Sequence, residues 1–482
     1  MRYRWIIGLV ILLGTQARAQ LSVAKIIGNN MVLQQGQPVA VWGRGIPGKQ
    51  VAATFKGQKA TTAVKADSSW KIELRPLKAS FDPAVLEIVS GQEIIKLNNI
   101  LVGEVWLCSG QSNMEFAMRK IGKLQSPPGA GWPVKELETA HNKNIRIFLV
   151  ERKKMAPDLT HAGWSVAEDD ALRSFSAAGY FFGKELQAKL KVPVGIISAA
   201  IPGSRIEPWM PREAFTVLDF FKKQTDSTHK IDGDPGKFYN TMIRPLIPFA
   251  LKGFLWYQGE SNCFLNERLQ YTYKMNALIN YWRKEWRNSA LPFYYVQIAP
   301  YYYSKAKDRP YTVFSEPEFW EAQQAALKIP NTVMINTMDL NDNPADLHPV
   351  DKWDLGKRLA QSALSKTYHA SAATPMGPVF KTVIIEGAAM VISFDYTGKG
   401  LVSRNGKPLN CFEMADEQGQ YVPATAVIKN NKVWVSAAGI KKPGAVRFAW
   451  REDARPNLYN KDGLPALPFR TDSKLMAAFK PE

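Results

Sequence analysis

Hydrophobic positions change rhythm twice along the chain. From Leu21 to about Asn99 they come in short runs, Met31-Val32-Leu33, Val39-Ala40-Val41-Trp42 and Val51-Ala52-Ala53-Thr54-Phe55, separated by Gly43, Gly45 and Pro47-Gly48. Short strands at this spacing, punctuated by turn residues, predict an all-β sandwich. Leu101-Val102-Gly103-Glu104-Val105-Trp106-Leu107 is then nearly unbroken in apolar residues, the pattern of a strand buried on both faces of a parallel sheet. Beyond it helical and strand patterns alternate to about residue 370, with helices expected over 177–190, 269–286 and 354–368 and strands over 194–200, 251–257 and 293–298. That alternation predicts an α/β domain built on a central parallel sheet. After Gly377 the strand rhythm returns, as in Met390-Val391-Ile392-Ser393-Phe394 and Val433-Trp434-Val435. The expected organisation is a β-sandwich over 20–99, an α/β domain over 100–372 and a β-rich region over 373–482, with no repeat of fixed period and no low-complexity tract.

Composition narrows the class. A chain of 482 residues suggests several domains, and 46% apolar with 22% charged residues excludes both wholesale disorder and a polytopic membrane protein. The formal charge of +19 calls for anionic partners: nucleic acid, an anionic surface or an acidic small substrate. The N-terminus trims that list. Arg2 and Arg4 precede the apolar run from Trp5 to Leu13, and Ala17-Arg18-Ala19 follows, so residues 1–19 read as an export leader with the mature chain starting at Gln20. The run falls short of the roughly 20 residues needed to span a bilayer, so a periplasmic or secreted protein without stable membrane insertion is expected. Export leaves nucleic acid a poor account of the charge. Cys108, Cys263 and Cys411 are too few and too widely spaced for a disulfide framework or a metal-ligand pattern.

In an α/β plan ligands bind at the carboxyl ends of strands, which directs attention to four segments. Cys108-Ser109-Gly110-Gln111-Ser112-Asn113-Met114-Glu115 follows the first buried strand. There Ser112 suits both a nucleophile and, through its N–H, an oxyanion donor, or it caps a helix in a box with Glu115. Pro202-Gly203-Ser204-Arg205 follows the strand over 194–200, and its glycine allows a backbone N–H to approach a ligand. Gln258-Gly259-Glu260-Ser261-Asn262 follows the strand over 251–257, where a glutamine amide can face a developing oxyanion with a carboxylate to orient it. In Asp346-Leu347-His348-Pro349, residues two apart in an extended segment share a side, so Asp346 can fix the tautomer of a basic His348. Asp339, Asp342, Asp351 and Asp354 crowd the same loop, yet no metal-binding spacing appears among them and no cofactor is expected.

Taken together, these segments resemble the sialate O-acetylesterase family, a branch of the SGNH-hydrolase superfamily. The likeness runs through almost the whole mature chain, from Asn30-Met31-Val32-Leu33-Gln34 through Gly110-Gln111-Ser112-Asn113-Met114-Glu115, Trp256-Tyr257-Gln258-Gly259-Glu260-Ser261-Asn262 and Asp346-Leu347-His348-Pro349 to Asn457-Leu458-Tyr459-Asn460. The resemblance implies a three-layer α/β domain and an esterase in which Ser112 is nucleophile, His348 general base and Asp346 its orienting acid, with Asp339 and Asp342 as rivals. It implies an oxyanion hole of the Ser112 N–H, the Gly203 N–H and the Gln258 side chain. Arg205, Trp209 and Glu260 are expected to bind substrate, with Tyr257 and the Tyr301-Tyr302-Tyr303 run as further candidate walls. This chain departs from the family in having Pro202-Gly203-Ser204 where Gly-Gly-Thr is usual, and from wider SGNH hydrolases in spacing acid and base as Asp-x-His. The expected substrate is an acetylated sugar, foremost O-acetylated sialic acid, with an acetylated hemicellulose or a non-catalytic glycan-binding role as alternatives.

Overall fold

A computed structural model describes residues 20–121, 133–150, 163–222, 231–307 and 309–482. The expected leader, 1–19, lies outside the described residues. The apolar run around Trp106 belongs to β1 (Glu93–Gly110), a strand of 18 residues. Its first half pairs antiparallel with Ser80–Ser90 of the N-terminal region, Ile95 facing Ile88 and Glu93 facing Ser90. From Ile100 to Gly110 it is wholly buried. The change of hydrophobic rhythm near Asn99 therefore falls inside one continuous strand, which N-terminal and central sheets share.

The second half of β1 is followed by α1 (Ser112–Glu115), β2 (Ile145–Leu149), β3 (Trp164–Val166), α2 (Ala177–Leu190), β4 (Val194–Ala200) and β5 (Gly253–Tyr257). Then come α3 (Leu269–Glu285), β6 (Phe293–Val296), α4 (Ser315–Ala325), β7 (Thr332–Ile335) and α5 (Lys352–Lys366). The strand order is β3-β2-β4-β1-β5-β6-β7, parallel throughout except where β3 closes one edge antiparallel to β2. Side chains alternate across the sheet, so each strand feeds two layers. On one face Trp106 meets Phe182 of α2 at 5.1 Å and Tyr294 bonds Thr367 just beyond α5. On the other, Phe254 and Trp256 pack edge-on against Trp282 of α3, and the Tyr295 hydroxyl donates to a carbonyl in α4. The helix α5 begins two residues before its expected start because the Asp351 side chain accepts from the Asp354 N–H and caps it.

The C-terminal region contributes two four-stranded antiparallel sheets. Beside apolar and neutral polar contacts, two charged clusters tie it to the α/β domain. Asp339, at the end of β7, accepts from both terminal guanidinium nitrogens of Arg358 at 2.7 Å, from Arg404 at 3.0 Å and from the Tyr459 hydroxyl at 2.9 Å. Arg470 makes a second two-pronged pair with Glu321 of α4, at 3.0 and 2.9 Å. Burial pushes the Asp339 carboxyl up, but the arginines and Tyr459 outweigh it and hold it below the usual range. Asp339→Asn should therefore cost about 3 kcal/mol in denaturant unfolding, the order seen when one partner of a buried pair is removed. Its kcat per folded molecule should stay near that of the parent.

Candidate active site

The central strand β1 lies between β4 and β5, and the chain leaves it in opposite directions on its two sides, so a crevice opens beyond its carboxyl end. Gly110 ends the strand opposite both Ala200 and Tyr257. Its φ of +136° and the 2.1 Å that would separate a Cβ from the Tyr257 carbonyl oxygen exclude any side chain there. The chain then turns through Gln111 into α1, whose first residue is Ser112. The expected capping alternative fails, because Gln111 stands at the cap and its carbonyl accepts from Met114 and Glu115. Among the described residues the Ser112 N–H has no partner, as befits the first turn of a helix.

His348 Nε2 lies 2.8 Å from Ser112 Oγ. On the far side of the ring Asp346 Oδ1 is 3.7 Å from Nδ1 and accepts the backbone N–H of His348 at 2.8 Å. Asp346 is thus the carboxylate beside the imidazole, while Asp339 is held by Arg358 and Arg404 and Asp342 is exposed. Burial lowers the His348 pKa; Lys352 and Lys120 act in the same direction, and Asp346 and Glu115 oppose them. The imidazole is therefore neutral at neutral pH and able to accept a proton at Nε2.

Gly203 is exposed in a turn at the end of β4, with φ +68° and open space where a Cβ would stand. Hydrogen bonds from Ile201 N and Ser204 Oγ to the Gly110 carbonyl tie this turn to the end of β1. Gln258 is placed differently from expectation. It is fully buried, and its Nε2 donates inward to Gln111 Oε1 at 3.1 Å, Ser204 O at 3.2 Å and Asn262 Oδ1 at 2.8 Å. Its two amide hydrogens are shared among acceptors in the loops after β1, β4 and β5, an arrangement suited to bracing these loops, whereas the expected oxyanion donor would need a free hydrogen.

Of the three expected substrate contacts, Glu260 and Trp209 turn inward and Arg205, partly exposed, is paired. Glu260 is 1% exposed and accepts from Asn113 Nδ2 at 2.6 Å. Trp209 is buried, donates to Ser204 Oγ at 3.1 Å and packs on Trp256 and Phe238. Arg205 is neutralised by Glu207 and Asp232, both at 2.6 Å, with Glu267 at 3.9 Å, and Lys274 shares the two glutamates. Tyr257 and Tyr303 are core residues as well, whereas Tyr301 and Tyr302 keep partly exposed faces, and the Tyr302 N–H bonds Pro344 in the His348 loop. Two buried residues went unanticipated, Asn113 and Lys352. Asn113 had only its place beside Ser112 to suggest a role, and Lys352 reads in sequence as an ordinary solvated lysine at a helix start.

Residues 102–365 match the family model described as carbohydrate esterase, sialic acid-specific acetylesterase. The chain belongs to this carbohydrate esterase family. It is 29% identical to the sialate O-acetylesterase of Homo sapiens, over 92% of this chain and 91% of that protein. To the sialate O-acetylesterase of Mus musculus it is 27% identical, over 92% of this chain and 93% of the other. Among solved structures, a carbohydrate acetylesterase from Xanthomonas citri superposes with a TM-score of 0.82 at 33% identity, covering 94% of this chain and 99% of that one. The esterase carries its three cysteines as free thiols, two of them buried. If Gln258 braces the loops, Gln258→Ala should cost about 1–3 kcal/mol of stability by stranding its buried partners. A donor aimed at the reacting oxygen would instead leave unfolding unchanged and lower kcat by about 10²–10³-fold.

Proposed function

We propose that the esterase is exported and removes acetyl groups from sugar hydroxyls, with O-acetylated sialic acid as its substrate, through an acyl-enzyme on Ser112. The observation that carries this reading is the 2.8 Å contact between Ser112 Oγ and a neutral His348. In the proposed steps His348 takes the serine proton as Oγ attacks the acetyl carbonyl, and the N–H groups of Ser112 and Gly203 receive the oxyanion. The imidazolium, with Asp346 beside Nδ1, then gives its proton to the departing sugar oxygen. Water, activated by the same imidazole, releases acetate. The strand order and the placement of these residues at the strand ends support an SGNH-type assignment. The N-terminal pattern of charged, apolar and small residues supports export.

A neutral acetylated sugar, as in hemicellulose, is the second reading, and the pairing of Arg205 favours it. A guanidinium already shared between Glu207 and Asp232 has little charge left for the carboxylate of a sialic acid. Acetate release measured side by side on O-acetylated sialic acid and acetylated xylo-oligosaccharides separates the two. A higher kcat/KM on the sialic substrate supports the first reading, and a preference for the xylan fragments supports the second. Arg205→Ala should weaken the fold and affect both substrates alike.

Ser112→Ala should lower acetate release at least about 10³-fold with unfolding unchanged, since only the attacking atom is lost. Labelling of another serine by an activated phosphonate would sink the assignment. The pH profile follows from the depressed imidazole: kcat/KM should hold at neutral pH and fall only as pH drops through a midpoint below the ordinary imidazole value of about 6.5. A midpoint above that value would contradict the lowering of the His348 pKa by burial, and an activity that does not fall in acid would contradict its role as base.

A further inference from the structure

Lys352, the first residue of α5, is shut away from water at 0% exposure. It donates to Asn113 Oδ1 at 2.9 Å and to the Pro349 carbonyl, and its ammonium lies 4.8 Å from the Phe116 ring centroid and 5.7 Å from that of Tyr257. A buried ammonium is costly unless charge and hydrogen bonds compensate it, and among the described residues Lys352 makes no direct ion pair. Its counter-charge is reached through one amide. Asn113 Oδ1 accepts from Lys352 while Asn113 Nδ2 donates to Glu260 Oε1 at 2.6 Å. Burial pushes the Glu260 carboxyl up against the pull of Asn113 and Lys352, and where both groups are ionised they polarise the amide in the same sense. Asn113 Nδ2 also donates to the Leu347 carbonyl at 3.0 Å. The carbonyls immediately before and after His348 are thereby both held, one by Asn113 beside the serine and the other by Lys352.

We infer that Lys352 is a positioning residue: with Asn113 and Glu260 it clamps the His348 loop onto the helix that carries Ser112. The inference rests on the proposed Ser112–His348 chemistry and deepens it. The groups facing His348 are Asp346 on its own loop, Glu115 on α1, Lys120 on the short helix Met118–Ile121 and Lys352 on α5. Those facing Lys352 are Glu260, Asp351 and Asp346, which favour its charge, and Lys120, which opposes it. Burial dominates and brings the Lys352 pKa down to about 7. Below that pH the ammonium resists a second positive charge on His348 and drives imidazole protonation to lower pH. Above it the neutral amine still has two N–H groups for Asn113 and Pro349, so the clamp survives the loss of charge.

The test uses the full-length enzyme with ¹³C at histidine Cε1, the His348 resonance being assigned by its loss in His348→Gln. In the parent, His348 should titrate below about 6.5, with a smaller second inflection near pH 7. Burial and Asp354 push Asp351 up to about 7 as well, so the inflection belongs to Lys352 only where the Lys352 variants remove it. Lys352→Met and Lys352→Gln should both raise the His348 midpoint by about half a unit or more, abolish the second inflection and move the acid limb of kcat/KM upward equally. Lys352→Met, which lacks both donors, should lose about 10–100-fold in kcat with KM changed less than about threefold. Lys352→Gln keeps a donor for Asn113 and should retain more activity. An unchanged His348 midpoint in folded variants, or a Lys352→Met kcat within about twofold of the parent, would overturn the inference. Should neither variant fold, the parent decides: a His348 midpoint at or above about 6.5, or no second inflection, overturns it as well. An active Ser112→Ala enzyme would instead strike the proposed function and leave these titration shifts standing.

Discussion

The site depends on a steric fact at the end of one strand. At Gly110 the neighbouring strands approach so closely that a Cβ would sit 2.1 Å from the Tyr257 carbonyl oxygen. With no side chain there, β1 can remain hydrogen-bonded to β4 and β5 up to its last residue and then turn at once into the helix that starts with Ser112. Three loops are thereby brought to one crevice. The buried amide of Gln258 fastens them by bonding Gln111, Ser204 and Asn262, one acceptor from each. Backbone geometry places the serine, and buried polar bonds keep the surroundings from shifting.

Charge is organised differently inside the molecule and outside it. The formal excess of +19 invites the idea of cations arrayed at the site for an anionic substrate. Apart from Lys120, which is exposed on the short helix Met118–Ile121 and faces His348, the cations near the proposed chemistry do not act that way. Arg205 and Lys274 are shared among Glu207, Glu267 and Asp232, Arg358 is spent on Asp339, and Lys352 faces Glu260 through Asn113. Desolvation explains the pairing, because an unpaired charge at these depths would cost several kcal/mol. The excess therefore resides largely on solvated lysines and arginines, where it bears on solubility and on encounter with anionic surfaces more than on the bound substrate.

Much of the fold was legible because it follows local rules. The helix over 177–190 and the strand over 194–200 form with the expected bounds, since each carries a strong period and a clear terminus: Ser176 caps the helix and Lys191 closes it in the left-handed conformation. The helix α4 went unseen because Glu316, Glu321, Gln323 and Gln324 are buried in it, so polar residues occupy the face that a period search expects to be apolar. Ser112 and His348 were legible as a pair by family likeness, and the structure brings them within 2.8 Å. The family likeness also reached Gln258 and Glu260, whereas Trp209 was reached as an aromatic face for a sugar and Arg205 as the cation nearest Gly203 in sequence. What it could not supply was direction.

Direction is where sequence reasoning about strand ends loses its grip. Within a strand the alternation of side chains says which face each residue takes, but the first residues beyond it are free of that period, and a polar side chain there can turn to the crevice or to the core. Gln258 and Glu260 turn to the core because acceptors and donors wait there: Gln111, Ser204 and Asn262 for the amide, Asn113 for the carboxylate. The N–H groups of Ser112 and Gly203 have no such partners among the described residues, Gly203 being exposed and Ser112 largely covered. The N–H groups without partners are thus the ones free to meet a substrate, while the buried, bonded side chains determine where those groups stand. A motif of a dozen residues can therefore be recognised as a unit even though only a minority of its side chains can touch the reacting atoms.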